Sequence, residues 1–131
     1  MVEEHPSYAG SQKDFVSWRR YGKMLHELAS TIPQGKYSAV CGVPRGGAVV
    51  AVYLSHALDV PCVSAPNDDP NVLVCDDLTD TGETLSGVTH DIAVLFHKPW
   101  STVAPTYFVE ETEAWIVFPY ETEEWKNETR E

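Results

Sequence analysis

Thirteen consecutive residues carry the strongest chemical signal in the chain: Val72-Leu73-Val74-Cys75-Asp76-Asp77-Leu78-Thr79-Asp80-Thr81-Gly82-Glu83-Thr84. An apolar strand delivers two adjacent carboxylates to its C-terminal end, where open α/β sheets bind ligands. A third acid, Asp80, precedes Thr81-Gly82-Glu83-Thr84. This tight, hydroxyl-rich turn reads as the opening of a short helix. Converging backbone N–H groups at such a turn make a phosphate cradle. Adjacent acids beside a phosphate seat would repel an anion. Asp76 and Asp77 make sense as a grip on sugar hydroxyls or on a magnesium ion. Aspartates often cap turns at strand ends, but that account leaves the ordered combination of strand, acid pair, third acid and Thr-Gly-x-Thr unexplained.

A second anion-suited segment is Gly42-Val43-Pro44-Arg45-Gly46-Gly47. Gly46 and Gly47 let backbone N–H groups approach an anion closely. Arg45 adds a planar cation that suits phosphate. Taken alone, the segment also reads as a plain strand-to-helix turn.

The elements that must position these residues follow from periodicity. Ser11 with Asp14 is a capping signal, and Phe15, Trp18, Tyr21, Leu25, Leu28 and Ile32 recur at helical spacing. They predict a helix over about 12–31, stopped by Pro33 and Gly35, with its aromatic stripe in the core. Residues 37–43 read as a buried strand, 48–58 as a helix packed on a sheet, and 60–64 as a second short strand. Residues 71–75 form a third strand, followed by a short helical stretch to Val88. Residues 92–96, 107–109 and 115–118 are further strands. Strands alternating with helices predict an α/β protein with a parallel sheet.

The segment around Asp76 closely resembles the phosphoribosyl pyrophosphate (PRPP) motif of the type I phosphoribosyltransferases. The resemblance extends over about residues 12–121. It implies that family's fold, a parallel sheet flanked by helices with a small base-binding hood. It implies that Asp76 and Asp77 hold the ribose hydroxyls with magnesium nearby. Asp80 would lie near the purine N7 as a general acid or base. Thr79 to Thr84 would cradle the 5-phosphate, Glu83 through its backbone N–H. Pro44, Arg45, Gly46 and Gly47 resemble the pyrophosphate loop, which in relatives holds a cis peptide, here Pro44–Arg45.

Lys98-Pro99-Trp100 and Glu113 to Glu121 resemble the microbial xanthine–guanine branch. By that resemblance Lys98 donates to the purine 6-oxo group and Trp115 stacks on the base. Ile116 offers backbone groups to its edge, and Glu121 joins Asp76 and Asp77 on the magnesium side. The implied activity is transfer of ribose 5-phosphate from PRPP to guanine, xanthine or hypoxanthine, with Mg2+ as cofactor. A homo-oligomer is implied too, since members of this fold usually pair.

The chain departs from the family between residues 64 and 71. Relatives place a long mobile loop there, which closes over PRPP and excludes water. The six residues Ala65 to Pro70, two of them proline, cannot form it. Three outcomes remain: a neighbouring subunit supplies the cover, the site works slowly while open, or the fold is a non-catalytic nucleotide- or PRPP-binding regulator.

Composition bounds the rest. A length of 131 residues suits one domain, with 1–10 as a loose arm and 122–131 as an acidic tail. Net charge is −11, and residues 66–131 hold three Lys or Arg against fifteen Asp or Glu. That balance excludes a nucleic-acid binder, which needs a basic stripe. No run approaches the roughly 20 apolar residues that span a bilayer, and Met1 to Pro6 has no signal-peptide pattern. Cys41, Cys62 and Cys75 are odd in number and lack CxxC spacing. They read as buried free thiols of a cytoplasmic protein. His26-Glu27 begins like a zinc-protease motif, but Ser30 stands at the partner position.

Overall fold

The computed structural model describes residues 12–121. The arm 1–10 and the tail 122–131 lie outside the described residues. Among the described residues two compact units emerge, one of residues 24–112 and one of residues 12–23 with 113–121.

The larger unit is built on a four-stranded parallel sheet. Its strands are β2 (Ala39–Gly42), β3 (Val72–Thr79), β4 (Ile92–His97) and β5 (Tyr107–Glu111), side by side in that order. Val40, Leu73, Cys75 and all of Ile92 to Phe96 are buried. Parallel strands covered on both faces need such unbroken apolar runs, which is why they stood out from the sequence. Helix α2 (Gly46–Leu58) packs on β2 and β3 through Val50, Ala51, Leu54 and Leu58. It ends at Asp59 in the left-handed region (φ 54°), whose N–H reaches the carbonyls of Ser55 and His56.

The smaller unit holds β1 (Lys13–Phe15) paired in parallel with β6 (Trp115–Val117), and a short 3-10 turn at Pro119–Glu121. Helix α1 (Trp18–Thr31) begins in this unit and ends in the larger one. Tyr21 packs edge-on against Phe118 and Tyr120. Among the described residues no helix is long and apolar enough to cross a membrane.

Five local expectations change, the first being that Cys62 is exposed while Cys41 and Cys75 are buried. Helix α1 starts at Trp18, not near residue 12, because residues 13–15 are extended and paired with β6. Ser17 caps it, its Oγ accepting the Arg20 N–H at 3.1 Å. Phe15 and Trp18 are consequently exposed (68% and 63%), whereas Tyr21, Leu25, Leu28 and Ile32 are buried.

Residues 60–64 shrink to one bridge, Val40 to Cys62. Pro61 has no N–H with which to extend a ladder. Strand β3 runs on to Thr79, through both acids, because β4 pairs with it as far as Thr79 and His97. The stretch after Thr84 is turns rather than helix, closed by Ser86 N–H to Glu83 O and Val88 N–H to Leu85 O. Gly87 at φ 84° ends any helical continuation, and Leu85 pins the segment into a cluster with Val74, Ile92 and Val94.

Candidate active site

Strand β3 outruns β2. The last pair between them is Gly42 with Cys75, so Asp76 is the first residue of β3 beyond its neighbour's end. The chain leaving β2 turns over this spot. Val43 N–H bonds to Cys75 O at 2.9 Å, and Gly47 N–H closes back on Val43 O at 2.8 Å. A Cβ on Gly47 would lie 2.5 Å from Cys75 O and 3.0 Å from Asp76 Cα. Only glycine allows the start of α2 to sit this tightly against the acid pair. The Pro44–Arg45 peptide is cis, and Arg45 is exposed with no capping bond from its side chain. Gly47 thus sits against Asp76, and Pro44, Arg45 and Gly46 form the turn that precedes it.

Asp76 Oδ1 accepts the Asp77 N–H at 2.8 Å. Its carboxyl is pushed up to about 8, first by burial and then by the charge of Asp77. The unfolded chain, with an ordinary carboxylate, releases this proton near pH 4. Stability attached to the group is therefore fully present below about pH 4 and is lost as pH rises through 8. In ligand-free calorimetry at constant ionic strength, wild-type Tm should fall more steeply between pH 5 and pH 8 than that of Asp76→Asn. Parallel profiles would mean that Asp76 titrates as an ordinary carboxylate.

Two adjacent hard-oxygen donors, one of them costly to ionise alone, suit a divalent cation. Among the described residues, however, no three of His, Cys, Asp or Glu converge into a metal cage. The donor set thus fits a magnesium ion shared with substrate oxygens, the usual manner of binding for that ion.

The turn after β3 is braced by the turn after β4. Lys98 N–H bonds to Thr79 O at 2.9 Å, and Thr102 reaches Thr81 O at 3.0 Å through both its N–H and its hydroxyl. Gly82 has φ 89°, and a Cβ there would stand 2.5 Å from Thr102 Oγ1. Glu83 N–H bonds to Thr81 Oγ1 at 3.3 Å, and the Glu83 and Thr84 side chains are exposed. No helix follows directly, so the N–H groups of this turn have no helix dipole behind them. Thr79 differs from its neighbours. It is 2% exposed, and its hydroxyl pairs with His97 Nδ1 at 2.8 Å.

Lys98 is fully buried at 0% exposure, with Nζ 5.6 Å from the centre of the Trp100 ring. Trp100 Nε1 donates to Asp80 Oδ1 at 2.8 Å. Trp100 and Thr102 carried no role in the sequence reading. The available signal was topological: adjacent parallel strands place their C-terminal turns side by side.

The remaining candidates belong to the smaller unit. Trp115 and the buried Ile116 lie on β6, where Ile116 pairs with Asp14. Glu121 Oε1 accepts the Phe118 N–H at 2.9 Å and so closes the 3-10 turn.

The connection Ala65 to Pro70 is made of exposed bends and turns. Asp69 ties it down, accepting from Ser38 Oγ at 2.7 Å and from Asn71 N–H at 2.9 Å. It joins β3 at its N-terminal end. The acids lie four and five residues further along that strand, roughly 13–17 Å away at the usual strand rise.

No protein-family model matches the chain. A xanthine-guanine phosphoribosyltransferase of Cereibacter sphaeroides is 30% identical over 142 positions, covering 81% of this chain and 85% of that protein. One from Idiomarina loihiensis is 28% identical over 138 positions, covering 82% of this chain and 86% of that protein. The crystal structure of a purine phosphoribosyltransferase from Pyrococcus horikoshii Ot3 matches with a TM-score of 0.75 at 33% identity, over 84% of this chain and 95% of that one. The fold, the acid pair beside a glycine-rich turn and these likenesses lead to one assignment: the chain belongs to the type I phosphoribosyltransferase family, alongside the microbial xanthine-guanine enzymes.

Proposed function

We propose that this chain is a purine phosphoribosyltransferase of base salvage, acting as a single domain. It moves ribose 5-phosphate from PRPP to N9 of guanine, xanthine or hypoxanthine. The observation that carries this reading is the contact of Gly47 with Cys75 and Asp76. It joins a glycine-rich anion loop to a sugar-binding acid pair, with the 5-phosphate turn next along the same strand. The ribose C1–O bond breaks with its electron pair leaving on pyrophosphate, and purine N9 supplies the pair for the new bond. The proton released from the purine goes to Asp80.

In this reading Arg45, Gly46, Gly47 and the Pro44 turn receive the leaving pyrophosphate. Asp76 and Asp77 hold the ribose hydroxyls and answer the positive charge that develops on the sugar. Thr79, Asp80, Thr81, Gly82, Glu83 and Thr84 are the proposed seat of the 5-phosphate. Lys98, Trp115 and Ile116 are the proposed contacts to the base. Asp77, Asp76 and Glu121 are the proposed magnesium-side acids. The ion when bound would neutralise charge on the pyrophosphate. A cytoplasmic location and a homo-oligomer belong to the same proposal.

The test is direct. The full chain is incubated with PRPP, magnesium and guanine, xanthine, hypoxanthine or adenine in turn. Nucleotide is expected with the 6-oxopurines and little with adenine. If no base gives nucleotide while calorimetry shows PRPP or nucleotide binding, the chain is a non-catalytic regulator on this fold.

A further inference from the structure

We propose that Trp100 is a positioning residue, whose indole N–H sets the orientation of the Asp80 carboxylate. Asp80 is the first residue past the end of β3, so no strand pairing restrains it. Its Oδ1 accepts the Trp100 Nε1–H at 2.8 Å. An indole can only donate, and a carboxylate offers about four acceptor sites. One bond therefore holds the carboxylate while leaving acceptor sites for an incoming proton.

Trp100 can do this because its own turn is anchored on both sides. Lys98 N–H bonds to Thr79 O, Ser101 N–H bonds to Lys98 O at 3.0 Å, and Thr102 bonds twice to Thr81 O. These bonds tie the Trp100 turn to residues 79 and 81, the two neighbours of Asp80 in the chain. The indole and the carboxylate thus move as one body. The Lys98 ammonium lies 5.6 Å from the same ring centre.

The kinetic part rests on the transferase reading; the contact does not. Two measurements separate them. In nitrogen-15 spectra of the ligand-free chain, the indole N–H of Trp100 should be lost in Trp100→Phe. In Asp80→Ala it should move and exchange faster with deuterium. An indole signal that ignores Asp80→Ala overturns the contact, and this variant leaves Trp100 in place should the Phe variant fail to fold.

In turnover, Trp100→Phe should lower kcat about tenfold with KM for PRPP within about twofold, a split that loss of packing alone would not produce. The double variant should be no slower than Asp80→Ala, since the indole acts only through that acid. Losses that multiply in full, or a Trp100→Phe enzyme with wild-type kcat, overturn the positioning role. A wild-type chain that makes no nucleotide overturns the transferase reading instead, and the spectra still decide the contact.

Discussion

Asp80→Asn is expected to lower kcat for nucleotide formation by about a hundredfold or more, with PRPP affinity changed less than about threefold. An amide cannot take up the proton that the purine must lose, and general acid–base groups of this kind contribute about 10²–10⁴ in rate. The substitution is also gentle on the fold. Asn is nearly the same size as Asp, and its carbonyl can still accept the Trp100 N–H that Asp80 Oδ1 accepts at 2.8 Å. The backbone bonds on either side, Lys98 N–H to Thr79 O and Thr102 N–H to Thr81 O, do not involve the side chain. Any loss should therefore appear in the chemical step. Initial rates under saturating PRPP, with PRPP binding followed by calorimetry, give the two numbers needed. Unchanged turnover would remove Asp80 from the chemistry, and lost PRPP binding would make it a ligand rather than an acid–base group.

Much of the framework was legible before any coordinates. Residues 39–42, 72–75 and 92–96 are strands buried on both faces, and such strands advertise themselves as continuous apolar runs. The misjudged elements are those whose state is decided by a distant partner. Residues 13–15 carry part of a helical pattern but are strand, because β6 lies alongside them. Asp76 to Thr79 look like a strand's end but continue it, because β4 extends as far. Residues 84–88 look like the start of a helix, yet only turns form before Ile92.

The site divides in the same way. The glycines, the acids and Arg45 stand out as candidates because their chemistry is local. Trp100 gives no such signal, because its bond to Asp80 crosses twenty positions of sequence. Cys75, within the motif, is structural: burial raises its thiol far above the usual range.

The largest structural effect is expected at Gly47. In Gly47→Ala the new methyl would meet Cys75 O at 2.5 Å, Asp76 Cα at 3.0 Å and Asp76 Oδ1 at 3.2 Å. The first two are backbone atoms of a central strand and cannot swing aside. The start of α2 must lift away, or the acid pair must move. Overpacking of this kind typically costs about 1–3 kcal/mol, roughly 4–12 °C in Tm for a chain of this size. PRPP affinity should fall at least about tenfold, because the proposed anion loop and the proposed sugar-binding acids would no longer share one ligand. Gly22→Ala is the control. It adds the same methyl inside α1, where no atom beyond the helix's own neighbouring backbone lies within 4 Å. There the substitution should stabilise by about 0.5–1 kcal/mol through helix propensity and leave PRPP binding unchanged. The opposite signs matter more than either magnitude. A chain that merely disliked alanine for glycine would lose stability at both positions, whereas a steric seat under the turn that follows β2 penalises only Gly47. If Gly47→Ala keeps both wild-type Tm and wild-type PRPP affinity, the loop does not rest on Asp76, and the contact on which the active site is built is absent.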